Sequence, residues 1–224
     1  GSDVLRVWTS SGGGAEIVQI TPAAATIIRA APSTQFVDDE ILFVSDCTTT
    51  AVVQACTLNV GSTDTQFTLS NGCSPGNIPS LPLPESLEGG RVYGLRSITY
   101  FVGKLAGSAS NLPALFRDAG DGNGPQELVR GVESMQVQYG VDFNDDDALR
   151  ADGWVKAAAV DEWTKVKSVR LTLLVQSEVD NLVPSPQPVT VDSPTPVTPT
   201  DKRLRRVFTQ TINLRNRMYG GAYD

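Results

Sequence analysis

The sequence predicts a mainly β fold of antiparallel sheet with at most short helices. Three observations carry this. The dominant hydrophobic period is two, sustained over residues 132–141 and again over 166–177. Several shorter segments are rich in β-branched and aromatic residues. Helical signals are weak along the whole chain. The 224 residues are 40% apolar and 19% charged, an ordinary globular balance. That length suits one large β-rich domain or two small ones, with a core of useful size.

In chain order, residues 5–8 and 66–69 are short strand candidates. Residues 21–31 (TPAAATIIRAA) fit a helical turn or a strand, and periodicity does not separate the two. Residues 40–45 (EILFVS) and 96–102 (RSITYFV) have strand composition. Residues 52–60 alternate so that Cys56 shares a face with Leu58 and Val60, which makes it a small core residue. Residues 119–125 (AGDGNGP) form a Gly-rich turn. Gly120, Gly122 and Gly124 do not make a phosphate loop, because the G-K-[ST] ending is missing.

In residues 132–141, Met135, Val137, Tyr139 and Val141 face one way, with Ser134, Gln136 and Gln138 opposite. Residues 152–163 (DGWVKAAAVDEW) offer Asp152 as an N-cap and an alanine run, which predicts a short helix. In residues 166–177, Val169, Leu171, Leu173 and Val175 share a face, with Arg170, Thr172 and Gln176 opposite. Residues 182–200 hold six of the 14 prolines and one charge, Asp192. They read as an extended loop protruding between two strong strands. A last strand covers about 206–214, with Phe208, Ile212 and Leu214 aligned.

Composition removes several chemistries. The chain has no histidine, which excludes a Ser-His-Asp or Cys-His catalytic unit and a His-containing zinc site. The net charge of −7 disfavours broad binding to nucleic acid. Six of the 18 basic residues lie between Lys202 and Arg217 with no acid among them; they read as a solvated strand face and turn, not a DNA stripe. No stretch approaches the roughly 20 apolar residues that span a bilayer. Glu127, Glu133, Asp161 and Glu162 could in principle serve glycoside cleavage, but no spacing selects a pair. No catalytic residue is assigned, and the chain is read as a non-enzyme.

Two local patterns point to sites. Asp142, Asn144 and Asp146 have the 1, 3, 5 spacing of calcium-loop oxygen ligands. The sixth position is Asp147 where the EF-hand uses Gly, and the twelfth is Gly153 where it uses Glu. The stretch therefore reads first as a solvated acidic hairpin tip with no cofactor, and calcium at Asp142, Asn144 and Asp146 is the alternative. Three cysteines, Cys47, Cys56 and Cys73, form no C-x-x-C metal pattern. One pair can close a loop in an oxidising compartment, leaving one thiol over. Cys47 and Cys73 sit beside turn-like residues and are the expected pair; Cys47–Cys56 and Cys56–Cys73 stay open.

The string Glu127-Leu-Val-Arg-Gly131-Val-Glu-Ser-Met-Gln-Val-Gln-Tyr139-Gly-Val-Asp142 resembles the signature strand of PilW-type minor pilins of the type IV pilus. Matches in the family's order follow in Trp163-x-x-Val166-Lys-Ser-Val-Arg170-Leu-Thr-Leu-Leu-Val175 and in Arg205-Arg206-x-Phe208-x-x-Thr211-Ile-x-Leu214-Arg-Asn216. Upstream, residues 41–47, 97–102 and 112–117 also fit. The resemblance implies one globular pilin head over residues 1–224, with 182–200 as its protruding loop. It implies an N-terminal helix that anchors the subunit and packs in the filament. That helix is expected to be absent here, because residues 3–7 match the first head strand.

The resemblance further implies a structural role in a tip or priming complex that initiates pilus assembly and supports twitching, adhesion or DNA uptake. The implied partners are other minor pilins, a tip adhesin and the major pilin, with no DNA and with membrane contact only through the missing helix. The head would be periplasmic before assembly and at the extracellular pilus tip afterwards. A minor pseudopilin of a type II secretion system shares this architecture, and a stand-alone β-rich binding module is the alternative of another class. The sheet face bearing Met135, Val137, Tyr139, Leu171 and Leu173 is expected to bury core, with edges and loops left for partners.

Overall fold

The computed structural model describes residues 1–22, 26–78, 83–104, 112–144, 151–191 and 195–214. The fold is mainly β, as expected, with thirteen strands and only short 3-10 turns among the described residues. No helix among them is long and apolar enough to cross a membrane. The chain divides into two compact units, Val7–Ile98 and a second made of Gly1–Arg6 with Thr99–Asp224.

The Val7–Ile98 unit is built on β1 (Leu5–Thr21), β2 (Thr26–Ala30), β3 (Ile41–Ser45), β4 (Thr50–Gln54), β5 (Thr57–Val60), β6 (Thr65–Leu69) and β7 (Arg91–Gly103). Their order is β4-β3-β7-β1-β2-β6-β5. Residues 26–30, left open between helix and strand, form β2; its Ile28 lies opposite Phe67 of β6, and both are fully buried. Phe36 packs edge-on against Phe67, with ring centroids 4.9 Å apart. These side chains, with Ile17, Leu42, Val44 and Val92, form one contiguous apolar core.

Strand β1 is far longer than the four residues its composition suggests. Its inward residues are Ala15, Ile17 and Ile20. A bulge between Ile17 and Gln19 shifts the alternation by one, which hides the strand from a period-two reading.

The run 52–60 breaks between β4 and β5, and Cys56 at the break is half-buried, not a core residue. It is bonded to Cys73, with Cα atoms 5.3 Å apart. The expected Cys47–Cys73 pair is thus corrected: Cys47 is free and exposed. Hairpin register is the cause. Pairing of Thr57 with Thr68 places Cys56 beside the end of β6, and its N–H donates to the Thr68 carbonyl at 2.9 Å. The following turn brings Cys73 back. Cys47 sits instead in the β3–β4 turn with φ 75°, where Asp46 Oδ1 accepts from the backbone of Thr48 at 2.8 Å and of Thr49 at 2.5 Å.

In the other unit, β8 (Ala114–Asp118) pairs with residues 99–103 of β7 and with β9 (Gln126–Arg130). A four-stranded antiparallel sheet follows, in the order β11-β10-β12-β13. Its strands are β10 (Val132–Val141), β11 (Gly153–Val155), β12 (Val166–Gln176) and β13 (Arg205–Asn213).

The helix expected over 152–163 does not form. Asp152 does not cap a helix: its Oδ2 accepts from the backbone of Phe143 at 2.8 Å and Asn144 at 3.2 Å. Gly153–Val155 pairs with β10 as β11, and Trp154 packs under the Arg170 guanidinium, 3.7 Å from its centroid. The alanines make one 3-10 turn, Ala157–Ala159, with no buried residue. A helix there would have no apolar face to pack, and packing supplies most helical stability. Trp163–Lys165 forms a second 3-10 turn.

The faces of the sheet are less clean than alternation predicts. Met135, Val137 and Val141 are buried as expected, but so is Gln136 on the opposite face; its Nε2 donates to the Gly1 carbonyl at 2.7 Å. On β12, Val169, Leu171, Leu173 and Val175 are only half-buried, whereas Leu174 and Gln176 opposite are buried. Leu174 lines a cavity together with Val189, Val191, Val197 and Pro199 of the 182–200 segment. That segment contains no strand among its described residues, only an isolated bridge between Val189 and Val197.

Candidate assembly surface

Strand β10 carries the sequence string that stood out, and its neighbours show what each residue does. Gly131 precedes it with φ 84°. Its N–H donates to the Pro113 carbonyl, and its carbonyl accepts from Gln176, both at 2.8 Å. A Cβ there would lie 2.5 Å from the Gln176 oxygen, so position and conformation both demand glycine. Gly140 is a case of close approach: a Cβ would run into Ser168 Oγ and lie 2.7 Å from Ala151 Cβ.

Two charge pairs fasten the ends of β10. At its start, Glu133 takes both Arg205 Nε at 2.8 Å and Arg205 Nη2 at 2.7 Å. Arg205 is almost wholly buried and also holds both oxygens of Asp201, at 2.6 and 2.9 Å, and Gln176 Oε1 at 3.2 Å. This guanidinium ties β10, β12 and β13 to the end of the Pro-rich segment. Its hydrogen bonds, with that of the Arg203 backbone N–H, hold the Asp201 carboxyl at about 2. The two carboxylates in turn hold the guanidinium proton more tightly than usual.

At the other end, buried Asp142 places Oδ2 3.5 Å from Lys167 Nζ. Its Oδ1 has no hydrogen-bond partner among the described residues. Between the two clasps, Tyr139 packs edge-on against Trp163 with centroids 4.9 Å apart. Burial pushes the Tyr139 phenol up, with the charge of Asp3 a smaller cause.

The expected calcium ligands are not in like environments. Asp142 is buried and faces a lysine, Asn144 is exposed, and Asp146 lies outside the described residues. No group of three or more acids or cysteines that could hold a metal occurs among the described residues. The basic cluster is also partly spent. Arg205 is in the clasp, and Arg203 Nη1 donates to the carbonyls of Ser177, at 2.9 Å, and Glu178. Lys202 and Arg206 are exposed.

Strand β13 contrasts with this well-tied centre. All nine of its residues pair with β12 in unbroken register, yet no strand lies on its other side among the described residues. Every residue from Arg206 to Asn213 is exposed, including Val207 at 43%, Phe208 at 56% and Ile212 at 47%. Phe208 and Ile212 share a face with half-buried Leu173 and Val169, their partners across the ladder. Apolar cover on that face thus thins from β10 outward to an open edge.

A family profile described as Type IV Pilus-assembly protein W matches residues 99–216, more than half of the chain. The chain belongs to the PilW family. That places it in type IV pilus assembly, in a family known for a structural role. No curated protein and no solved structure matches it significantly.

The PilW match begins at Thr99, where the second unit resumes, and includes both charge clasps and β13. The Val7–Ile98 unit lies outside it. Sequence reasoning named the PilW strand but missed the clasps. Glu133 and Arg205 are 72 residues apart, so no local spacing announces the pair. The available signal was an acid and a base standing in two separate strands of the matched segment, β10 and β13.

Proposed function

We propose that this PilW-family chain is a minor pilin, a structural subunit of a tip or priming complex that starts pilus assembly. In this reading residues 1–224 form one subunit head. An N-terminal helix anchors it in the inner membrane with the head in the periplasm, and assembly carries it to the pilus tip. Its partners are other minor pilins, a tip adhesin and the major pilin; twitching, adhesion or DNA uptake follow from the assembled filament.

The observation that carries the reading is β13. Among the described residues it has an unpaired backbone edge, and its apolar side chains are uncovered, within the PilW-matched segment. Such an edge is a ready template for another chain, and contiguous exposed apolar surface marks interaction sites. Other pilus subunits dock there, extending the sheet and covering Phe208 and Ile212.

The test is deletion of the gene in its host, followed by complementation. Loss of surface pili, restored by the intact chain and not by a Phe208→Asp/Ile212→Asp variant, is expected. Normal piliation in the deletion strain would refute the proposal. Normal piliation with defective protein secretion would assign the chain to a secretion pseudopilus instead.

A further inference from the structure

Residues 182–200 are used by neither the charge clasps nor the β13 edge. The two sides of this segment differ. On one, Val189, Val191 and Pro199 are half-buried and line a cavity with Val197 and Leu174. On the other, Ser185, Thr190, Thr198 and Thr200 are exposed, and none of their hydroxyls has a hydrogen-bond partner among the described residues.

The segment is held at its base as well as along its inner side. Leu182 and Val183 N–H donate to the Lys202 carbonyl at 3.0 and 3.2 Å. The Arg205 N–H donates to Gln187 Oε1 at 3.1 Å. Val189 and Val197 exchange two backbone hydrogen bonds of 2.9 Å. Proline fixes φ and removes backbone donors, which disfavours helix and sheet in a segment of this composition. The hydroxyls are therefore displayed on a braced, accessible backbone.

Charge supplies the second half of the case. A protruding segment normally stays soluble through charged side chains. This one has only Asp192 across 19 positions, while Leu182 is 56% and Val197 67% exposed. A covalently attached polar group would cover that apolar surface. Ser/Thr-Pro composition is the kind that carries O-linked sugars, and the chain contains no Asn-x-Ser/Thr acceptor for N-linked ones.

We propose that Ser185, Thr190, Thr198 and Thr200 are sites of O-linked glycosylation. The donor class is a sugar activated as a glycosyl phosphate, on a nucleotide or a polyprenyl carrier. The side-chain oxygen attacks the anomeric carbon, forming the new C–O bond. The bond from that carbon to the phosphate oxygen breaks, and its electron pair leaves with the phosphate. The hydroxyl proton passes to a base on the transferase. No oxidant or reductant is involved.

The test uses the full chain purified from the piliated cells that make it, by intact mass and by mass of the 182–200 peptide. The expected peptide is heavier than its sequence by sugar residues that β-elimination releases. The excess is lost entirely in the Ser185→Ala/Thr190→Ala/Thr198→Ala/Thr200→Ala variant, whose melting temperature is unchanged. A peptide of unmodified mass overturns the proposal. So does an excess that persists in the fourfold variant or proves to be phosphate.

Discussion

The Val7–Ile98 unit and the Thr99–Asp224 unit are both antiparallel β structure, but they are held together by different means. The first closes fifteen buried apolar residues into one cluster and adds a disulfide. The second spreads its sheet between two ion-pair clasps and leaves its last strand uncovered on both faces. Only the second is matched by the PilW family. The first unit also exposes apolar side chains outside that cluster, Trp8, Val18 and Val52 among them. In the proposed reading, another chain completes the apolar edge that the second unit leaves open.

Substitutions in the two units should separate along this line. The largest effect is expected from Phe67→Ala, which empties a fully buried aromatic site at the centre of the first unit. The expected loss is about 3–5 kcal/mol by denaturant unfolding. A loss below about 1 kcal/mol would mean that this core is not what holds the unit.

Removing the Cys56–Cys73 bond comes next. Its 17-residue separation corresponds to about 3 kcal/mol of chain entropy. The Cys56→Ser/Cys73→Ser variant should melt lower than the parent, and Cys47→Ser should melt with it. Equal melting of all three would contradict the pairing.

In the second unit, Arg205→Ala strands Glu133 and Asp201. Both carboxylates keep some solvent contact, so the expected cost is about 2–3 kcal/mol, below that of a fully buried pair. The same clasp sets an acid limit. Asp201 is held at about 2 when folded, against an ordinary value of 3.8. Its contribution is fully present above pH 3.8 and is lost as pH falls from there through 2. Asp201→Asn should flatten the acid limb of a stability–pH profile and leave the neutral region's slope unchanged.

The smallest effect expected is that of calcium. Asp142 is already paired with Lys167, so adding calcium or a chelator should leave the melting temperature where it is. A clear chelator-induced drop would restore a bound ion at the 142–146 loop.

The difference between the units also explains what the sequence revealed. Strands β10 and β12 were legible because apolar residues alternate with others over 135–141 and 169–173, within strands of ten and eleven residues. Strand β1 was not, because a bulge and the run Ser10–Ser11–Gly12–Gly13–Gly14 erase its alternation; pairing with its neighbours makes it a strand. The helix expected at 152–163 failed because tertiary pairing to β10 outweighed a weak local propensity. The disulfide depended on a hairpin register that composition does not encode. The candidate surface was half legible. Phe208 and Ile212 were placed on one face, but their exposure comes from β13 lying at the edge, and strand order is not a local property.

The central claim is that β13 is where other pilus subunits attach, and a paired pull-down tests it most directly. The purified chain is mixed with its candidate minor-pilin partners, alongside two variants that keep the parent melting temperature. Phe208→Asp/Ile212→Asp places charge on the exposed face of β13, and Val52→Asp does the same at an exposed position of the first unit. The account predicts that partner capture is lost with the β13 variant and retained with Val52→Asp. Capture that survives the β13 change and fails with Val52→Asp would contradict it.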